Sequence, residues 1–213
     1  MNILFDLDGT LTDPRDGIVR SIEYALNKMD AETPSALELT QCIGPPLRDS
    51  FASFLQTSEP DTIEQAITYF RERFSVQGLY ENNLYPGITT ALKQLSSESH
   101  TLYIATSKPR DFAKIIIDHF ELTGFFKAIY GSEMDGKNSE KTGLISLLIE
   151  DEQLSSADTV MIGDRKFDMR GAKSNALLGI GVLWGYGSRD ELRDSDADIL
   201  CHTPLELPKV LAF

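Results

Sequence analysis

Asn2-Ile3-Leu4-Phe5-Asp6-Leu7-Asp8-Gly9-Thr10-Leu11 opens the chain with a short apolar run that ends in two acids and a glycine. The run has the character of a buried strand, and the acids fall where that strand stops. In an open parallel sheet ligands bind at the carboxyl ends of the strands, so Asp6 and Asp8 would project into a crevice. Strand-like runs recur downstream at His100–Thr106, Lys127–Tyr130, Asp158–Gly163 and Leu177–Leu183, rich in β-branched and aromatic residues. Between them Ile88–Ser97, Asp111–Phe120, Glu140–Asp151 and Phe167–Asn175 read as helices. Strands alternating with helices of about ten to fifteen residues indicate βαβ units, an α/β fold with a parallel sheet.

One segment interrupts the alternation. From Pro14 to Asn82 there is no convincing strand, and Ile63, Ala66, Ile67, Phe70 and Phe74 form a helical apolar stripe over Asp61–Phe74. That stripe reads as helix-bundle core. Pro34, Gly44-Pro45-Pro46 and Pro60 divide the rest into further helices, and Tyr85-Pro86-Gly87 reads as the hinge that returns the chain. The expected organisation is a catalytic core of residues 1–13 and 83–213 with an inserted helical domain of 14–82.

Composition narrows the classes of function. The chain has 213 residues, 41% of them hydrophobic, which suffices for one α/β core and a smaller appendage. A net charge of −13 repels phosphate backbones and anionic lipid, so neither nucleic acid nor membrane is an expected partner. A small anionic substrate stays open, because a bound divalent cation reverses the local field. Cys42 and Cys201 match no zinc or redox spacing; incidental thiols are expected, with one disulfide left open. The apolar stretch Ala176–Tyr186 is too short to span a membrane, and an acid at position 6 with no basic residue before it is unlike a signal peptide. The expected location is cytoplasmic.

Three further stretches offer chemistry. Ala105-Thr106-Ser107-Lys108-Pro109 places hydroxyls and amides at a strand end before a helix, where they suit an anion; its plainer reading is a helix start with Pro109 in the first turn. Gly163-Asp164-Arg165-Lys166-Phe167-Asp168 puts Asp164 at another strand end, with Asp168 four residues on. Asp6 and Asp164 are hard oxygen donors suited to Mg²⁺. The plainer readings are an Asx turn at Asp8-Gly9 and a helix cap with a surface charge cluster at Lys166 and Asp168. Lys141, after Ser139 and Glu140 at a helix start, would offset carboxylate repulsion and phosphate charge, and Lys137 is the alternative.

Taken together, Asp6-Leu7-Asp8-Gly9-Thr10 and the motifs at Thr106, Lys141 and Asp164 resemble the haloacid dehalogenase-like hydrolases over the whole chain. The resemblance implies a doubly wound Rossmann-like core with a helical cap inserted after the first strand. It implies Asp6 as nucleophile, Asp8 as proton carrier, Thr106 and the Ser107 backbone on the phosphoryl group, and Lys141 as the active-site lysine. It also implies Mg²⁺ held by Asp6, the Asp8 backbone carbonyl and Asp164, with Asp168 direct or through water. The sequence departs from the family at Lys141, which lacks the common Lys-Pro pair, and at Ser107, where Asn is commoner. Ile43-Gly44-Pro45-Pro46-Leu47 and Gly181-Val182-Leu183-Trp184-Gly185-Tyr186-Gly187 look most like the phosphoglycolate phosphatase-like branch.

The expected activity is therefore Mg²⁺-dependent hydrolysis of a small phosphate monoester through an aspartyl-phosphate. Within the branch a 5′-nucleotidase or pyrophosphatase is the alternative. A sugar-phosphate mutase, a dehalogenase, a receiver domain and a non-enzymatic phosphate binder follow behind. Arg48 is a candidate for a substrate carboxylate or second phosphate, against a surface pair with Asp49 or Glu38; Arg15 and Arg20 rank lower. Trp184 and Tyr186 read as packing under a glycine-rich loop before they read as a platform for a base.

Overall fold

The computed structural model describes residues 1–212 and divides into two compact units, 1–13 with the chain from Leu84 onward, and Pro14–Asn83. The strands are β1 Asn2–Phe5, β2 Thr12–Asp13, β3 Asn83–Leu84, β4 Thr101–Pro109, β5 Phe126–Ser132, β6 Thr159–Gly163, β7 Leu178–Val182 and β8 Ile199–Cys201. Six of them form one sheet in the order β5-β4-β1-β6-β7-β8, and each neighbouring pair is parallel. This is the α/β parallel sheet that the alternation implies, in the doubly wound Rossmann-like form that the family resemblance implies. The chain winds outward in one direction through β4 and β5 and in the other through β6, β7 and β8. The reversal of strand order falls at β1, where such sheets open a crevice.

Both faces of β1 are covered. Ile3 and Leu4 point to opposite sides of a pleated strand, and each is 0% exposed. On one face Leu4, Tyr103, Ala105 and Met161 pack with Ile145, Leu148, Ala172 and Leu177, so helices Lys141–Asp151 and Lys166–Ser174 are fixed against the strands that carry the site. Burial of one such aliphatic side chain stabilises the fold by about 1.5–3 kcal/mol.

Register then sets the level of the strand ends. Phe5 lies opposite Ile104 on β4 and Ile162 on β6, and the Asp6 N–H donates to the Ile162 carbonyl at 2.9 Å. The residues that follow, Asp6, Ala105-Thr106 and Gly163-Asp164, therefore emerge side by side.

Two features differ from the sequence reading. Strand β4 runs on to Pro109, so Thr106–Lys108 belongs to an irregular strand end and the helix begins at Arg110. Proline lacks an N–H, and it ends a strand as readily as it starts a helix. The sixth strand, β8, is only three residues long and leaves no periodic run to notice. Cys42 and Cys201 are both free thiols. Among the described residues no helix is long and apolar enough to cross a membrane.

The unit Pro14–Asn83 is helical: Arg15–Lys28, Ala36–Gln41, Leu47–Phe54 and Pro60–Arg73, then a wider turn of π-helix at Phe74–Gly78. Its core is the expected stripe of Ile63, Ala66, Ile67 and Phe70. Phe70 meets Phe51 edge-on at 6.4 Å and stacks on Phe74 at 5.0 Å. Ser35 starts the second helix through a capping box, with its N–H bonded to Glu38 Oε2 at 2.9 Å and its Oγ accepting from the Glu38 N–H.

Candidate active site

Asp6, Asp164 and Asp168 converge at the ends of β1 and β6. One carboxylate oxygen from each lies within 4.8 Å of the others, and all three residues are buried. Each is aimed by local backbone. Asp6 Oδ1 accepts the Leu7 N–H at 2.7 Å. Asp168, in the first turn of helix Lys166–Ser174, accepts the Arg165 N–H at 3.0 Å. Asp164 is approached by the turn at Gly9, whose φ of +84° suits glycine and where a Cβ would run into the Asp164 carboxylate. Any larger residue at position 9 would push the acid out of the cluster.

Lys141 is the cation among them. Its Nζ lies 3.0 Å from Asp6 Oδ1, 2.8 Å from Asp168 Oδ1 and 2.9 Å from the Ala105 carbonyl oxygen, which occupies its three donors. Glu140 caps the helix that carries it and so fixes its starting point. Burial works against the ammonium, but Asp168 and Asp6 outweigh it and hold the Lys141 pKa above its ordinary value. Lys137 is exposed on the preceding loop, where its N–H bonds Asp135 at 2.9 Å.

One lysine does not balance three buried acids. Asp164 is driven well above the usual carboxylate range, first by burial and then by repulsion from Asp168 and Asp6. Asp168 is pushed up to about 6 by burial, against Lys141 and with repulsion from Asp6. Three hard oxygen donors that repel one another in a buried pocket suit a divalent cation such as Mg²⁺.

Asp8 faces a different partner. Its Oδ2 lies 2.6 Å from Lys108 Nζ, and its carboxylate is not one of the three that converge. Burial raises the Asp8 pKa above the ordinary value, although the Lys108 charge pulls the other way. Lys108 was not singled out as a site residue in the sequence. The available signal was its place at the end of β4, where an irregular strand turns a charged side chain inward.

The remaining expected residues are placed as follows. Thr106 is buried, and its Oγ1 accepts the Lys108 N–H at 3.3 Å. Ser107 is half-buried, and its carbonyl accepts from the Ser132 hydroxyl at 2.9 Å. Asp168 belongs to the buried cluster with Lys141 and not to a surface cluster with Lys166. Arg48 pairs with Glu64, where Asp49 and Glu38 were the expected surface partners, and both side chains are about half exposed. Arg20 pairs with Glu81 and Asp16. Trp184 Nε1 donates to the Thr10 carbonyl at 2.9 Å, and the Tyr186 hydroxyl donates to Asp13. Both aromatic rings are thus held by hydrogen bonds to the segment after β1.

Known proteins resemble this chain over most of its length. The family model described as haloacid dehalogenase-like hydrolase matches residues 3–182. A 5′-nucleotidase of Pseudomonas aeruginosa is 47% identical over 99% of this chain and 95% of its own length. A phosphoglycolate phosphatase of Vibrio cholerae is 25% identical over 93% of this chain and 91% of its own length. Among solved structures, a predicted phosphatase from Clostridium acetobutylicum superposes with a TM-score of 0.94 at 41% identity, covering 100% of this chain and 98% of its own.

Proposed function

The chain belongs to the haloacid dehalogenase-like hydrolases and stands among their phosphatases, and we propose that it cleaves a small phosphate monoester by way of an aspartyl-phosphate on Asp6. The observation that carries this reading is the buried cluster of Asp6, Asp164 and Asp168 around Lys141 at the switch point of the sheet. A divalent ion held by these acids, Mg²⁺ by the hardness of the donors, would supply positive charge at the phosphoryl oxygens.

The steps follow from the side chains. An oxygen of Asp6 attacks phosphorus, the ester P–O bond breaks, and Asp8 gives its proton to the leaving oxygen. A water molecule then loses a proton to Asp8 and attacks phosphorus, breaking the bond to Asp6 and releasing inorganic phosphate. Asp8 must carry a proton for the first half, and its raised pKa suits that duty. Lys141 orients Asp6 and offsets charge, while Thr106 and the Ser107 amide receive phosphoryl oxygens.

For the substrate we infer a nucleoside 5′-monophosphate ahead of phosphoglycolate. The relative called 5′-nucleotidase is far more similar over nearly the whole chain than the phosphoglycolate phosphatase is. The test is turnover of para-nitrophenyl phosphate with Mg²⁺ and then with EDTA, followed by kcat/KM for nucleoside 5′-monophosphates, phosphoglycolate and pyrophosphate. No multiple turnover on any of them would sink the phosphatase reading. A preference for phosphoglycolate would overturn the substrate class alone.

A further inference from the structure

The loop after β7 bears on Asp164 in a way the chemistry above does not use. The Tyr186 N–H donates to Asp164 Oδ2 at 2.8 Å, and Thr10 Oγ1 lies 3.5 Å from Oδ1, so both carboxylate oxygens have a partner. The loop lies flush on that acid. A Cβ at Gly185 would run into the Asp164 side chain and the Gly9 carbonyl, and one at Gly187 into the Asp164 carbonyl.

Residues beside those glycines tie the loop down. Trp184 Nε1 reaches the Thr10 carbonyl, the Tyr186 hydroxyl reaches Asp13, and the Leu183 N–H donates to the Cys201 carbonyl on β8 at 2.9 Å. Thr10 lies in the turn that follows Asp8, and Asp13 ends the short strand β2 just beyond it. The loop therefore links the segment that presents the first two acids to the acid that ends β6.

We infer that residues 184–187 form a positioning element for Asp164, and that the Tyr186–Asp13 hydrogen bond sets how tightly the three-acid cluster binds a divalent cation. The inference rests on the reading of Asp164 as a cation-holding acid. The physical basis is general: hydrogen bonds in the shell behind a ligand fix its orientation, and their loss commonly weakens metal binding by about 10–100-fold.

The experiment is titration of the purified full chain, without substrate, by Mg²⁺ in calorimetry and by Mn²⁺ in electron paramagnetic resonance. Tyr186→Phe removes one hydroxyl and keeps the ring, and Asp13→Ala removes its acceptor. Each is expected to weaken Mg²⁺ binding by about tenfold, with the double variant no weaker than either single one. Asp13→Asn retains an acceptor oxygen and should recover most of the affinity. The melting temperature of the metal-free protein should be nearly the same in all four variants, which separates positioning from general support of the fold. Trp184→Phe, which cuts the same loop at another of its ties, supplies a second measurement should Tyr186→Phe not fold. Affinity within about twofold of wild type in both Tyr186→Phe and Trp184→Phe would overturn the inference. Failure of the wild-type protein itself to bind Mg²⁺ would instead bring down the reading of the acid cluster on which it depends.

Discussion

The strand ends of the core and the helical unit Pro14–Asn83 each gather charge, and they do so in opposite ways. In the core, Asp6 and Asp168 share Lys141 while Asp164 converges on them without touching it, and Asp164 and Asp168 are 0% exposed. In the helical unit, Glu81 lies between Arg73 at 2.7 Å and Arg20 at 2.8 Å, and Arg48 pairs with Glu64, with every one of these side chains in contact with solvent. Burying excess charge of one sign is costly, whereas exposed, matched pairs cost and contribute little. The first arrangement endures because the surrounding sheet and helices hold it, and such surplus charge marks a place for chemistry. The second is what a folded helical surface looks like.

The sharpest way to break that contrast is Asp6→Asn. Turnover should fall by about 10⁴-fold or more, and no acid-stable phosphoenzyme should be seen by mass spectrometry. The melting temperature should hold or rise, because one of the repelling acids becomes neutral. A variant of full activity would remove Asp6 from its role as nucleophile.

Lys141→Met should show the reverse balance in stability. Removal of the cation that touches both Asp6 and Asp168 leaves buried acids unmatched, and denaturant unfolding should register a loss of about 3–5 kcal/mol at neutral pH. A loss below about 1 kcal/mol would place the acids' main compensation elsewhere.

Lys108→Met tests the proton carrier. Lys108 pulls the Asp8 pKa downward against burial, so its removal should move that pKa further up. The alkaline edge of Asp8 protonation then shifts to higher pH, readable in the pH profile of kcat/KM. A profile that stays in place would detach Lys108 from Asp8 in the working enzyme.

The smallest effect belongs to the helical unit. Hydrogen bonds from Arg73, opposed by partial burial and joined by Arg20, hold the Glu81 pKa down to about 2 from 4.5. A depressed carboxyl stabilises the fold fully above its unfolded value, and that contribution is lost as pH falls through the folded one. Glu81→Gln should therefore lower the melting temperature modestly at pH 7. The gap to wild type should close between about 4.5 and about 2, and a gap that stays constant with pH would remove the charge from the explanation.

Much of this was legible before any coordinates. The apolar runs gave the strand positions to within a few residues, since a strand buried on both faces must be nearly continuous in apolar residues. The stripe Ile63–Phe74 gave its helix, because a 3.6-residue period leaves one face to bury. Asp6 and Asp164 could be named because each directly follows a strand end, and Asp168 because it lies four residues beyond Asp164, in the first turn of the next helix. Lys108 could not, since sequence order does not say which way a residue faces where a strand loses its register. Nor could β8, whose three residues are a strand only because β7 is beside them.

Linear order alone thus determined the class of fold, the helical character of the Pro14–Asn83 segment and the kinds of side chain available for chemistry, because burial and periodicity are written residue by residue. Which oxygen meets which nitrogen was decided only by tertiary structure. The parallel register of β1, β4 and β6 sets residue 6 level with 105 and 163, one position before Thr106 and Asp164, and helix packing then assigns Lys141 to the three-acid cluster while Lys108 meets Asp8. Contacts between groups 100 or more positions apart depend on how whole elements pack, and no local stretch of the chain encodes that.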